Sequence, residues 1–342
     1  MVDVHFSTDV TKAEAAIGPW LRRDSVTNNV ALTLLDRLSD QPGQARFWWA
    51  TKNNYISGVC LQGDPRQSLY VRTDDLNTIP AFVEAVVVSR DAPPLPGVNG
   101  HVLAAGAWGA TWADVSRRPI TIAAFQRYYH LPGRRSLRPL PPPTGALRAA
   151  THDDLGLLTR WAIGFQRDVH PGVSTPDRLN SPSSNLTPGP MPDPAPARSR
   201  ALDPKPDPAS GHKHGQDPEP DATAEPSRYP TPDIVALRSD FAVKLERNEL
   251  WIWDDDGPRA VAGATRPVDG VSRIHFVYTP PEYRNRGLAA ACTAGAVERA
   301  TDVGAETCVL FADLANPTSN AIYRRLGFQP HSEHLNIAFA HS

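Results

Sequence analysis

The strongest constraint on the fold is a pair of prolines, Pro280 and Pro281, that follows an apolar run at residues 271–279. The run has the composition of a β-strand. Proline has no backbone N–H, so the strand must end here or separate from its neighbour. We therefore predict an open sheet edge beside residues 276–278.

A short loop leads from these prolines into an alanine-rich helix, and residues 284–289 read Arg-Asn-Arg-Gly-Leu-Ala. The first amide groups of a helix have no internal partner and carry the positive end of its dipole. Gly287 and Ala289 leave these amides accessible, and Arg284 and Arg286 add positive charge. The segment predicts a site for a diphosphate, although an ordinary strand-turn-helix with solvated arginines has the same pattern. Neither the triphosphate-loop motif nor the three-glycine dinucleotide motif is present.

A second motif, at residues 315–328, predicts a short helix with strong signals at both ends. Asn316 suits the N-cap, Pro317 the first helical position, and Gly327 the position after the end. Tyr323 then lies on a different face from the apolar stripe of the helix. The arrangement predicts a phenol held in a fixed place.

The chain has 342 residues and 35 prolines, and two proline-rich stretches divide it into regions. Residues 170–229 carry proline every few positions and few large apolar groups, which predicts a disordered insertion. A second proline-rich stretch near residues 139–143 predicts a connector. We expect an N-terminal domain at 1–143 and a C-terminal domain at 144–342 that contains the insertion.

Bulk properties exclude several classes of function. A formal charge of −2 gives no electrostatic reason to expect nucleic acid as a partner. No signal segment and no long apolar run is visible, so we expect a cytoplasmic protein without a membrane partner. The three scattered cysteines predict neither a disulfide framework nor a metal site.

Both halves show strand-like runs and helical runs in a similar order, which predicts an α/β or α+β fold and suggests an internal duplication. In the first half, residues 15–38 have helical periodicity, and strand-like runs follow from residue 45.

Together, the two motifs resemble the GNAT superfamily of acyl-CoA N-acyltransferases. The resemblance covers residues 144–340 without the insertion, and it rests on Arg284-x-x-Gly287-x-Ala289 and on Asn316-x-x-Ser319 with Ile322-Tyr323 and Gly327-Phe328. It implies a mixed, mostly antiparallel, splayed sheet flanked by helices. The whole chain is similar to two such halves, the first degenerate, with a counterpart loop near residues 97–106 that lacks arginine.

The resemblance also implies acetyl-CoA as co-substrate, no metal, and transfer of the acetyl group to a primary amine of a small molecule or protein. The residues that it places at the co-substrate are Phe276, Val277, Tyr278, Arg284, Asn285, Arg286, Gly287, Leu288, Ala289, Asn316, Ser319 and Tyr323. Tyr323 is the candidate acid for the departing thiolate, although a packing role for its ring is the alternative.

The candidate base is less conventional. Many family members have a glutamate where Arg273 stands, and His275, two residues on and expected on the same side of the strand, is the candidate here. Water as the proton carrier and a structural role for His275 are the alternatives. A different class of function also fits: a non-catalytic acyl-CoA sensor or scaffold.

Overall fold

The chain folds into one mixed sheet with helices on both faces. The computed structural model describes residues 2–41, 43–88, 95–138, 140–169 and 234–340, so the predicted insertion at 170–229 lies outside the described residues. The strands are β1 Val2–Ser7, β2 Arg46–Lys52, β3 Tyr55–Gln62, β4 Leu69–Thr73, β5 Gly97–His101, β6 Ile120–Pro132, β7 Ala146–Ala149, β8 Leu250–Asp254, β9 Pro258–Ala264, β10 Val271–Tyr278, β11 Thr307–Asp313 and β12 Gln329–Phe339. The helices are α1 Val10–Leu21, α2 Asn29–Asp40, α3 Ile79–Val88, α4 Val102–Ser116, α5 Leu155–Val169, α6 Ile234–Glu246, α7 Leu288–Asp302 and α8 Pro317–Arg325.

The described strands form a single sheet in the order β1-β2-β3-β4-β5-β12-β6-β11-β10-β9-β8-β7. Two pairs, β4 with β5 and β10 with β11, are parallel, and the other pairs are antiparallel. In each parallel pair, one helix connects the two strands: α3 in the first and α7 in the second. The predicted α/β, mostly antiparallel and splayed architecture is confirmed.

The two halves of the chain exchange their last strands. β6, from the first half, pairs through its residues 126–132 with the whole of β11, and β12, from the second half, lies between β5 and β6. The sheet is therefore continuous across the proline-rich connector. Strand order within each half is otherwise the same, as a duplication predicts.

The predicted helical stretch at residues 15–38 is two helices, and the interpretation as one run was wrong. α1 ends at Leu21, and a 3-10 turn at Arg22–Asp24 separates it from α2. The buried side chain of Asn28 donates to the carbonyl of Leu21 over 2.8 Å, which closes the corner. Residues 22–25 are all polar and could not continue the apolar face of α1. This interruption was the sequence signal for a break between two helices.

The topology also corrects the predicted counterpart of the arginine loop. The segment near residues 97–106 is β5 and the start of α4, which corresponds to β11 and α8. The loop that corresponds to residues 279–287 runs instead from β4 to α3, at residues 74–78. It contains Asp74 and Asp75, and Asp75 accepts hydrogen bonds from the Asn77 amide and from Lys52 Nζ.

Each face of the second half has its own apolar core. α7 packs on one face against residues of β8, β9, β10 and β11, including Ile274 and Leu310. α5 and α6 pack on the other face against Ile252, Val261 and Tyr278. The thiols of Cys60, Cys292 and Cys308 are free and buried. None of the described helices has the length and apolar character needed to cross a bilayer.

The strand exchange can be tested with a large-to-small substitution in β12. Ile337 is 3% exposed and packs in the core of the first half with Val98 and Trp108, although it belongs to the last strand of the chain. Ile337→Ala should lower the free energy of unfolding by about 2–5 kcal/mol because it leaves a cavity. Ile122→Ala on β6 is the control, since Ile122 is 63% exposed. Equal losses in urea unfolding would contradict the packing of β12.

Candidate active site

The parallel strands β10 and β11 separate after a short paired segment. Val271 to Arg273 pair with Thr307 to Val309, and no further pair joins the two strands within their described lengths. At the same point β10 has a bulge: Phe276 has φ 48°, and the register with β9 shifts between His275 and Tyr278. The extra residue bends the strand away from its parallel neighbour.

This geometry confirms an open edge and corrects its cause. The strands part at Ile274, well before Pro280, so the bulge opens the sheet and the prolines only end the strand. Pro281–Tyr283 then forms a 3-10 turn that leads to the loop before α7.

The start of α7 is open to solvent. Gly287 occupies the N-cap with φ 77° and offers no side-chain cap to the first amides. A Cβ at Gly287 would meet no other atom within 4 Å, so the space beside these amides is free. Leu288 is buried and anchors the helix in the core. The loop therefore presents uncapped backbone donors, as the sequence predicts.

The two predicted arginines do not act together. The Arg284 guanidinium donates to the Thr279 carbonyl over 3.0 Å and forms an ion pair with Asp168 at the end of α5. The Arg286 guanidinium lies 5.9 Å from the ring centre of Tyr283 and outside the cleft lining. Arg284 and Asn285 do line the cleft.

A large cleft of about 1230 Å³ connects these elements. Of the predicted co-substrate residues, it is lined by Val277, Tyr278, Arg284, Asn285, Gly287, Leu288, Ala289, Asn316, Ser319 and Tyr323. The two predicted residues absent from its lining are Phe276 and Arg286.

Four further arginines line the same cleft: Arg134, Arg138, Arg299 and Arg325. Arg134 and Arg299 both pair with Asp302, at 3.1 and 3.3 Å. We call these four the basic rim. Sequence reasoning missed it because the residues come from the segment that follows β6 and from the last turns of α7 and α8, and only the fold brings them together.

α8 is fixed by a buried amide that the sequence did not identify. Asn320 is 7% exposed; its Nδ2 donates to the carbonyls of Asp313 and Asn316, both at 2.7 Å, and its Oδ1 accepts from the Tyr129 hydroxyl at 2.8 Å. The predicted cap is present, since Asn316 Oδ1 accepts from the Ser319 amide at 3.0 Å. These bonds tie α8 to both β11 and β6.

Tyr323 lies on the side of α8 that faces the cleft and is 7% exposed. Its ring is 6.4 Å from that of Tyr129 and 6.0 Å from that of Phe328, measured between centres. Burial raises the pKa of the Tyr323 phenol well above its ordinary value. The phenol therefore keeps its proton at neutral pH.

The structure does not bring His275 into this cleft. The bulge places both His275 and Phe276 on the opposite face, where Phe276 packs against Phe165 and Phe241. His275 lines a separate cavity between α2 and α6. Burial lowers the pKa of its imidazole well below 6.5, so the ring is neutral at pH 7.

No group of three or more His, Cys, Asp or Glu side chains within the described ranges is placed to hold a metal ion.

Comparison with solved structures shows the same fold. A Drosophila protein matches with a TM-score of 0.58 and 11% identity, over 98% of both chains. A tandem GNAT protein from the clavulanic acid biosynthesis pathway matches with a TM-score of 0.53 and 10% identity, over 99% of both chains. A GNAT-family acetyltransferase from Colwellia psychrerythraea matches with a TM-score of 0.52 and 11% identity, over 98% of both chains.

A search of the curated proteins returns no match. The family model described as "Acetyltransferase (GNAT) family" matches residues 216–328, a range that includes the opening in the sheet, the α7 loop and α8. The protein therefore contains a domain of the GNAT acyltransferase family.

Proposed function

We propose that the protein transfers an acetyl group from acetyl-CoA to a primary amine of a small molecule or protein, by direct attack in a ternary complex. One observation carries the proposal: uncapped amides of α7, the unpaired edge of β10 and the Tyr323 phenol all line one cleft of about 1230 Å³. The GNAT family match supports acyl transfer in general.

The residues of the cleft fit an acyl-CoA. A diphosphate is matched by the amides that follow Gly287, where no side chain intervenes. The amide groups of the pantetheine arm are matched by the backbone of β10 at Val277 and Tyr278, which has no partner strand on that side. The basic rim adds charge for further phosphate groups.

Tyr323 is our candidate for the proton donor. When the amine nitrogen forms its bond to the acyl carbon, the C–S bond breaks and the thiolate takes a proton. A thiolate of this type has a pKa of about 8.5, below that of a phenol, so the transfer depends on a positioned and desolvated donor. The burial of Tyr323 and the fixed position of α8 supply that environment.

His275 stays our predicted base. Its imidazole is neutral at pH 7 and can accept a hydrogen bond from the amine, but its lowered pKa makes it a weaker base than a free imidazole. Because His275 faces away from the cleft, this role requires the amine to approach from the α5 and α6 face. The amine must then reach the thioester through the gap where β10 and β11 are no longer paired.

We further propose that the second half, from residue 144, is the catalytic half and that residues 1–143 are a degenerate copy. The equivalent loop of the first half carries Asp74 and Asp75 in place of arginine and glycine. Carboxylates at this position repel phosphate groups. The sites of the two halves therefore differ in the sign of their charge.

The first prediction concerns the diphosphate position. Gly287→Ala should weaken acetyl-CoA binding at least about tenfold in calorimetry, because a Cβ enters the open space beside the amides. Gly304→Ala, near the other end of α7, is a matched control. It also has a positive φ, 104°, and also meets nothing within 4 Å, so it reproduces the backbone strain away from the cleft. Equal effects from both variants would contradict the assignment.

The second prediction concerns Tyr323. Tyr323→Phe should lower kcat by roughly tenfold to a thousandfold while acetyl-CoA affinity stays unchanged, because it removes only the proton donor. Tyr55→Phe, on a side chain that is 72% exposed, is the control. Since the pKa of Tyr323 is raised, wild-type turnover should show no decline from loss of this proton between about pH 7 and pH 9.

A panel of amines with acetyl-CoA separates the two candidate functions. An enzyme releases thiol in proportion to acetylated amine. Binding of acetyl-CoA without transfer to any amine would identify the protein as an acyl-CoA sensor or scaffold instead.

A further inference from the structure

A second cavity, of about 340 Å³, lies between α2 and α6. β10 forms its floor through Arg273 and His275, while the intervening Ile274 packs on the α7 face. α2 contributes Thr33 and Arg37. The volume is that of a small-molecule site. We call it the α2–α6 cavity.

The carboxylates that line the α2–α6 cavity are already engaged. Asp36 accepts from Arg266 at 2.8 Å, and Asp240 forms an ion pair with Lys244. Glu249 is 6% exposed, its Oε1 accepts from the backbone amide of Arg266 at 3.4 Å, and burial raises the pKa of its carboxyl.

Two arginines of the α2–α6 cavity, by contrast, have no carboxylate within ion-pair distance among the described residues, although Glu249 lies near enough to Arg273, and Asp64 to Arg37, for a longer-range attraction. Arg273 Nη1 donates to Asn29 Oδ1 at 3.3 Å, and its other guanidinium nitrogens make no hydrogen bond to any described residue. The Arg37 guanidinium forms no ion pair within the described ranges and lines the same cavity. Both side chains are partly buried. A partly buried guanidinium without a direct ion pair favours an anionic ligand.

Two other polar atoms of the α2–α6 cavity are buried and have no hydrogen-bond partner in the described chain: Thr33 Oγ1 and His275 Nε2. Buried polar atoms are satisfied in the great majority of native structures, and a bound ligand is one way to satisfy them. The Thr33 hydroxyl can donate to a carboxylate, and a neutral imidazole nitrogen can accept from an ammonium. The unsatisfied groups thus match a ligand with both charges.

The spacing limits the size of that ligand. Arg273 and His275 are two residues apart on one strand, a separation of roughly 7 Å along the backbone. Short amino acids, with one to a few carbons between amine and carboxylate, have dimensions of this order. His275 is also next to the bulge, where the opening begins.

We propose that the α2–α6 cavity binds the acyl acceptor and that the acceptor is a small amine carrying a carboxylate. Arg273 and Arg37 hold the carboxylate, and His275 Nε2 accepts a hydrogen bond from the amine beside the opening. The proposal rests on the acyltransferase function described above and specifies its substrate class.

Matched pairs of acceptors test this directly. Glycine, β-alanine and γ-aminobutyrate are each compared with the corresponding carboxamide, with acetyl-CoA and the full chain. For at least one pair, kcat/KM should favour the carboxylate by at least roughly tenfold, because a charged hydrogen-bonded pair is lost with the amide. Arg273→Met should reduce that ratio towards one, and Arg273→Lys should retain part of it. Arg127→Met, on an arginine bound to Glu333 at 2.7 Å outside the α2–α6 cavity, should keep the ratio.

A binding measurement that involves no acyl transfer tests the carboxylate site separately from the transferase function. Succinate carries carboxylates and no amine, so its binding to wild type, measured by saturation-transfer NMR, does not require catalysis. We expect binding that Arg273→Met weakens at least about tenfold and Arg127→Met preserves.

Failure of the carboxylate site and failure of the transferase function give different results. Transfer to carboxylate and amide acceptors alike, or succinate binding that Arg273→Met leaves unchanged, overturns the carboxylate site and leaves the transferase standing. Absence of succinate binding also overturns it. Succinate binding with the expected arginine dependence, but without transfer to any amine, overturns the transferase function and the acceptor role with it.

Discussion

The structure depends on how the second half of β11 is held. From Leu310 onward β11 has no pairing with β10, and its hydrogen-bonding partner is β6, which pairs with it as far as Asp313 and Gln126. β10 is held in the same way on its own outer edge by β9, up to Tyr278 and Val261. β11 therefore keeps a complete ladder with β6, and β10 keeps a ladder with β9 that the bulge interrupts. Unpaired backbone groups inside the opening are available to a ligand because the sheet does not need them for its own stability.

β6 comes from the other half of the chain, so the opening in the second half is stabilised by a strand of the first. The same strand also provides Tyr129, whose hydroxyl donates to Asn320 and so fixes α8. The loss of phosphate-binding character at residues 74–78 does not remove this structural role. Without β6, β11 would be an unpaired strand beside the candidate active site, so the first half has this structural role even if, as we propose, it is a degenerate copy.

Local sequence signals predicted the elements of the site better than their connections. Gly287, Asn316 and Pro317 mark backbone positions whose requirements are local, and the structure has the predicted turn and cap at each. The bulge at Phe276 left no such signal, because a phenylalanine at positive φ contradicts ordinary propensity and is imposed by the surrounding sheet. Charge was also misread: Arg284 is paired with Asp168, and the basic rim is assembled from distant segments.

The bulge also determines on which face of the sheet each side chain of β10 lies. Without it, alternation would put His275 and Val277 on the same face; the extra residue instead places His275 on the α6 side and Val277 on the α7 side. One strand can thus contact a co-substrate on one face and an acceptor on the other, with the opening between them. α2 covers the proposed acceptor side, where Asn29 donates to the Val271 carbonyl at 3.4 Å and Asp36 binds Arg266. The first half therefore contributes to the proposed chemistry by enclosing the acceptor, and its own loop needs no phosphate site for that task.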